Sequence, residues 1–292
     1  MRNPPLTGVN PAEAREASLR LARSHYENFT VVSWLTPRSL RKDLASIYAY
    51  CRTVDDLGDE AEGDRLELLD RFEEELERAY AGTPRHPVLI SLLPTIERFD
   101  LPREPFARLI EANRIDQVKT RYASFADLLE YCENSANPVG RLVLMLYGYR
   151  DDERFALSDA TCTALQLTNF WQDIRRDYEM GRIYLPQDEM ERFGVGEDDL
   201  ALDHAPSGLR GLLRFQVDRT REYFERGLPL IDTVEGHLKI DLALFSRGGL
   251  AILKKIEDQR YDTLSRRPRL SNGEKALLFL STLISKDWRR WI

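Results

Sequence analysis

Apolar residues recur every three to four positions along most of this 292-residue chain, the period of helices that bury one face. Asn10-Pro11 reads as an N-cap followed by proline at the first helical position, opening a helix to about Tyr26. After a break through Thr36-Pro37, helical periodicity covers roughly 38–59, 65–81, 86–99, 104–118, 125–149, 158–180, 208–232, 240–264 and 272–291. Pro138 lacks an N–H and crowds the carbonyl four residues back, so the 125–149 segment is expected to bend there. Strand-like alternation is scarce, and residues 182–186 read as an extended exit ended by Pro186. No Pro/Gly/Ser-rich linker or repeat interrupts the pattern. The expectation is an all-α domain spanning 1–292, a helical bundle around a central cavity.

Charge placement along two of these helices is unusual. Leu44 to Cys51 carries no charge, and then Arg52, Asp55 and Asp59 follow on one helical face, with Tyr48 one turn earlier. Ala160 to Gln172 is likewise uncharged; Gln166, Asn169, Asp173 and Asp177 share a face at i, i+3, i+7 and i+11. Acidic pairs four apart are cheap, since 49 acids in 292 residues give roughly eight by chance, mostly on solvated faces. A solvated face is polar along its whole length, whereas these carboxylates finish otherwise apolar helices. They read as charges at the mouth of a cavity.

Magnesium suits that pattern. It takes oxygen ligands and is usually held by one or two carboxylates plus waters and substrate phosphates. Carboxylates at i and i+4 lie about 6 Å apart along the axis, and two such ends facing each other would clamp a diphosphate through the ions. The net charge of -7 argues against nucleic acid but permits a metal-bridged diphosphate. Arg52 would add a permanent cation. A pair of surface helix ends with intrahelical ion pairs is the plain alternative.

Cys51, Cys132 and Cys162 lack metal-ligand or disulfide-framework spacing and read as small buried side chains. No stretch has the length and apolarity of a membrane span, and no secretory leader is read at the start, so a cytoplasmic protein is expected. No strand-GxGxxG-helix unit is present, against a nicotinamide or flavin cofactor. His86, His204 and His237 read as surface or loop residues; His25 lies near other candidate residues.

The runs Ala49-Tyr50-Cys51-Arg52-Thr53-Val54-Asp55-Asp56-Leu57-Gly58-Asp59-Glu60 and Leu167-Thr168-Asn169-Phe170-Trp171-Gln172-Asp173-Ile174-Arg175-Arg176-Asp177, continued by residues 181–186, resemble the two signatures of the squalene/phytoene synthase family. Residues 24–29 and 134–141 resemble, within it, the hydroxysqualene synthases of bacterial hopanoid pathways. The resemblance implies a class I isoprenoid synthase bundle, a prenyl diphosphate substrate and about two to three magnesium ions bound with the diphosphate. It implies Asp55, Asp59, Asn169, Asp173 and Asp177 as metal ligands. Tyr48, Arg52, Gln166, Arg182, Tyr184 and Arg266 would meet diphosphate or the adjacent cavity, and His25, Asn28 and Phe29 its mouth. Neighbouring enzymes of squalene or hopanoid synthesis are the partners it implies.

The chain departs from condensing relatives at Gln172, where some carry arginine, at Asn137-Pro138 in place of Gly-Thr, and at Gly248-Gly249, near a position often aromatic. The expected reaction is therefore ionisation of presqualene diphosphate, rearrangement, and capture by water. Tyr50, Tyr131, Phe170 and Trp171 are candidates to hold the carbocation, Tyr131 foremost because it precedes the Asn-Pro bend. Glu133, Asn134 and Asn137, polar residues in an apolar helix, mark where a water would sit, with a bend needed only for packing as the equal alternative. Two further readings stand beside it: a synthase condensing two farnesyl diphosphates, and a non-catalytic helical scaffold. Lys286 to Ile292 mixes cations with tryptophans, as interfacial helices do, so peripheral membrane contact is weighed against a final helix packed on the bundle.

Overall fold

Buried polar groups tie the N-terminal helices together as firmly as their apolar faces do. The structure, a computed structural model, describes residues 10–24 and 36–284. It divides into two compact units, 1–118 with 141–150, and 119–140 with 151–292.

The first unit contains α1 (Pro11–Ser24), α2 (Arg41–Asp59), α3 (Arg65–Tyr80), α4 (Pro87–Phe99) and α5 (Arg103–Val118). Asp43, 1% exposed, accepts from Arg15 of α1 at 2.6 Å, and from Thr95 and Arg98 of α4 at 2.9 Å each. A buried carboxylate left unpaired costs several kcal/mol, so this network fixes how α1, α2 and α4 meet. Beside it, Ser18, Ser46 and Ser91 link hydroxyls at 2.8–2.9 Å, their small side chains allowing close approach. Asp64 caps α3 by accepting from the Glu67 N–H at 3.1 Å. His86, expected at the surface or in a loop, is the half-buried loop residue before α4: its Nδ1 caps the helix at the Val88 N–H, and burial lowers its pKa.

The second unit contains α6 (Phe125–Ser135), α8 (Asp152–Glu179), α9 (Gln187–Phe193), α10 (Ser207–Gly227), α11 (Leu230–Thr233), α12 (Gly236–Asp258) and α13 (Asn272–Ile284). Helix α7 (Asn137–Leu146) begins here. The 125–149 segment is broken rather than bent, with Ala136 between α6 and α7 at φ -118° and ψ -48°. Asn137 is buried, its Oδ1 accepting from Thr163 of α8 at 3.0 Å. One turn on, a Cβ at Gly140 would lie 2.4 Å from Ser158 Oγ and 2.5 Å from Cys162 Sγ. The Asn-Pro-Val-Gly run thus anchors the start of α7 on α8.

Several helix ends differ from the periodicity. Helix α8 starts earlier than position 158, because Asp151 caps it by accepting from the Arg154 N–H at 3.0 Å. Pro229 divides 208–232 into α10 and α11, while α12 stops at Asp258 before Arg260 and Tyr261, at φ 54° and 59°. Residues 182–186 form the expected exit; Ile183 bridges to Arg121 and donates to Thr120 O at 2.9 Å. Helix α8 packs on α10 and α12 around fully buried Trp171, whose Nε1 donates to Thr220 Oγ1 at 2.8 Å. Gly249 lets α12 close on Phe224 and Leu165, which accounts for glycine where an aromatic side chain would not fit.

A Cβ at Gly227 would sit 2.2 Å from Thr161 Oγ1 and 2.9 Å from the Thr161 nitrogen, so Gly227→Ala should destabilise by about 1–3 kcal/mol in urea unfolding. Half-buried Asp241 has its carboxyl pushed up to about 6 by desolvation. Its folded pKa lies above the unfolded value, so the charged form penalises folding fully above about pH 6, and the penalty fades as pH falls from there and is gone below about 4. Asp241→Asn should therefore be more stable than the parent at pH 8 by about 1–3 kcal/mol and equal to it at pH 4.

Candidate active site

In the first unit, α2 brings its buried, uncharged stretch to an end that carries Tyr48, Arg52, Asp55 and Asp59. Tyr48 and Arg52 are half-buried, while Asp55 and Asp59 reach solvent. Although Asp55 is open to water, the protein around it desolvates the carboxyl enough to raise it to about 6. Asn113 opposes that rise by hydrogen bonding, Asp59 and Asp56 add to it, and Arg52 counters them. Crowded like charges of this kind are relieved by a divalent cation. Arg52 shares its guanidinium between Asp56 and Glu60, both at 2.7 Å, rather than standing ready for a phosphate. Glu60 is 67% exposed, and an ion pair so solvated gives way at little cost.

Two residues on α5 complete this end, and the sequence pattern did not single them out. Asn113 Nδ2 donates to Asp55 Oδ1 at 3.4 Å. Gln117 Nε2 donates to Gly58 O and to Asn113 O, both at 3.0 Å. Gly58 makes room for them, since a Cβ there would fall 2.2 Å from Asn113 Oδ1. The glycine inside Asp55-Asp56-Leu57-Gly58-Asp59 is thus a packing requirement. Only its presence within a charged helix end hinted at a close neighbour.

In the second unit, α8 carries Gln166, Asn169, Asp173 and Asp177 along one stripe, Asn169 exposed and the others half-buried. Asp173 is gripped by Arg267, whose Nη2 donates to Oδ2 at 2.7 Å and whose Nε donates to Oδ1. Buried Gln172 donates its Nε2 to Pro268 O at 2.5 Å, holding the arginine-bearing loop on α8. That explains an amide at 172. Arg266, expected to meet diphosphate or the adjacent cavity, is exposed, its carbonyl accepting from Gln259 at 2.8 Å. Its neighbour makes the contact.

Asp177 and Arg182 line a small cleft with Phe170, Ile174, Tyr184 and Leu200. Phe170 and Tyr184 stack at 4.0 Å and 12°. Tyr131 packs on both, at 6.1 and 5.7 Å, and Tyr122 lies 5.6 Å from Tyr131 and from Tyr184. Four rings therefore back the acid and the arginine. Of the other aromatic candidates, Tyr50 is core, its OH donating to Phe106 O at 2.9 Å, and Trp171 is spent on Thr220. His25, Asn28, Phe29 and the 286–292 run lie outside the described residues.

The donor set fits magnesium. Among the described residues no three acidic, histidine or cysteine side chains form a cage by themselves. Each acidic end instead offers one or two carboxylates, all oxygen donors, as magnesium takes when water and phosphate complete its shell.

The squalene/phytoene synthase family profile matches residues 22–274. The 15-cis-phytoene synthase of Synechococcus elongatus is 32% identical over 282 residues, covering 90% of this chain and 90% of that protein. The phytoene synthase of Thermus thermophilus is 35% identical over 269 residues, with the same 90% coverage of each. Among solved structures, squalene synthase HpnC from Alicyclobacillus acidocaldarius is 50% identical with a TM-score of 0.82, over 87% of this chain and 97% of that one. The helical architecture is that of the isoprenoid synthases, as the sequence led one to expect.

Removing the Asn113 amide should loosen Asp55. Asn113→Ala is expected to weaken manganese binding, read by titration calorimetry, about tenfold while the unfolding midpoint moves little. Gly58→Ala, which displaces Asn113, should weaken it as well.

Proposed function

This chain belongs to the squalene/phytoene synthase family of enzymes acting on prenyl diphosphates, and from that premise we propose that it ionises presqualene diphosphate, rearranges the cation and captures water to give hydroxysqualene and diphosphate. The observation that carries the reading is the cleft where Asp177 and Arg182 adjoin the Phe170, Tyr184, Tyr131 and Tyr122 rings. One end suits a departing diphosphate and the other a carbocation, which aromatic faces stabilise by about 0.5–2 kcal/mol each.

Magnesium, when bound by Asp55, Asp59, Asn169, Asp173 and Asp177, supplies positive charge that eases diphosphate departure. The chain's own residues do the rest. Arg182 meets the leaving oxygens, and Arg267 and Gln172 hold Asp173 in place. The C–O bond to diphosphate breaks with its electron pair on oxygen, so these groups act by fixed electrostatics rather than proton transfer. Gln166, on the α8 stripe, and Tyr48, one turn before Arg52 on α2, are the further polar groups this reading assigns to substrate binding. This reading assigns the terminating water to Asn137, whose Oδ1 accepts from Thr163 and whose Nδ2 would donate to the water. Thr163 and Asp173 are ten residues apart on α8, about 15 Å along the axis, which separates the water from the departing diphosphate. Water's oxygen joins the cation and its proton leaves to solvent.

The phytoene synthase relatives favour a second reading, condensation of two allylic prenyl diphosphates. The same metal-binding ends serve either reaction. The pure protein, incubated with magnesium and either presqualene or farnesyl diphosphate, should give an alcohol carrying ¹⁸O from labelled water from the first substrate alone, by mass spectrometry. Turnover of farnesyl diphosphate alone would sink the proposal. Asp173→Asn should lower diphosphate release about 10²–10³-fold, and Asn137→Leu should shift product from alcohol to hydrocarbon at nearly unchanged diphosphate release.

A further inference from the structure

The loop that follows α12 takes a strained path, held by a carboxylate that the proposed reaction does not use. Arg260 and Tyr261 stand in succession in the left-handed region, at φ 54° and 59°. Side chains crowd the backbone there, so two such residues in a row persist only where their surroundings over-determine them. Asp262, next in the chain, supplies that determination. It is buried, and groups from two loops and from α10 converge on it. Its Oδ1 accepts from the Ala205 N–H at 2.9 Å and the Ser265 N–H at 3.2 Å. Its Oδ2 accepts from Arg210 at 3.2 Å and lies 3.1 Å from His204 Nδ1. Burial pushes the carboxyl up, but the bonds from Ala205, His204 and Ser265 outweigh burial and hold it below the usual carboxylate value.

These bonds close a circuit that begins and ends on α8. Five residues after Asp262, Arg267 grips Asp173, and Pro268 O receives Gln172 Nε2 at 2.5 Å. On the other side, Arg175 of α8 donates to Ala201 O at 3.1 Å and to Leu202 O, so α8 also holds the loop that leads to Ala205. Asp262 joins the two loops to each other. We propose that Asp262 is a positioning residue for the acidic end of α8: by tying the loop after α12 to the loop before α10, it sets where Arg267 meets Asp173. The proposal rests on the reading that Asp173 holds magnesium. The partners of Asp262 include none of the residues assigned to metal or diphosphate, so its influence passes through the loop to Arg267.

Binding of manganese together with inorganic diphosphate to the full-length protein, followed by titration calorimetry, tests this without any prenyl substrate. Asp262→Asn keeps the side chain's shape but turns an amide toward Arg210, and it should weaken binding about tenfold, as should Arg267→Ala. The double variant should bind as Arg267→Ala does, because a residue that acts through another then has nothing left to position. Losses that multiply to about a hundredfold, as for independent sites, overturn the proposal, and so does an Asp262→Asn variant that binds like the parent. If Asp262→Asn is too unstable to titrate, Arg210→Gln removes a single donor. It should weaken binding about threefold in the parent and not at all beside Arg267→Ala, and equal losses in both backgrounds overturn the proposal. Asp173→Asn separates this inference from the reading beneath it. Unchanged binding in that variant defeats the metal assignment and the proposal with it, whereas loss there with none in Asp262→Asn defeats the positioning role alone.

Discussion

A carboxylate on a helix packed into protein needs a donor from a neighbouring helix or loop, and meeting that need organises much of this molecule. Asp43 is the strongest case. Fully withdrawn from water, it collects Arg15, Thr95 and Arg98, so α1, α2 and α4 meet where those three donors converge. Breaking such a set would leave a bare charge in a low dielectric, which costs more than the pairs contribute. The same rule reaches the site by gentler means. Asp55 has one amide from α5, and Asp173 has a two-point guanidinium from the loop after α12.

These two supports differ in a way that matters for chemistry. The first acidic end is short of positive charge: Arg52 is divided between Asp56 and Glu60, and the Asp55 carboxyl is held up near 6. It gains most from an added cation. The second end already has Arg267 at Asp173 and Arg182 in the cleft with Asp177. Its polar groups adjoin stacked rings within the same unit. Asp241 shows the converse, since desolvation raises its carboxyl.

Helix α13 is shaped by the same accounting of polar groups. Arg247 is buried on α12 and must find acceptors, and the Ser281 and Thr282 hydroxyls supply them. With those hydroxyls turned inward, Leu277, Leu280, Leu283 and Ile284 lie on the remaining arc and are exposed. An exposed apolar stripe is thus the consequence of satisfying a buried guanidinium.

Local patterning was enough to predict the helices, the uncharged stretches that end in Asp55/Asp59 and Asp173/Asp177, and the family, because period and motif depend on neighbours in sequence. It placed the Asn137-Pro138 interruption but not its extent, a full break whose asparagine is tied to Thr163, 26 residues away. It missed Asn113, Gln117 and Arg267, which lie 58, 59 and 94 residues from Asp55, Gly58 and Asp173, the groups they bind. It named Arg266 and was silent on Arg267, since adjacent arginines look alike until the loop's path decides which one faces α8. It put Tyr131 foremost but ranked Tyr50 and Trp171 with Phe170, although their hydrogen bonds to Phe106 O and Thr220 assign that pair to the core. Periodicity gives a helix its faces; what each face meets is settled only when distant segments pack, for partners are chosen by proximity in space.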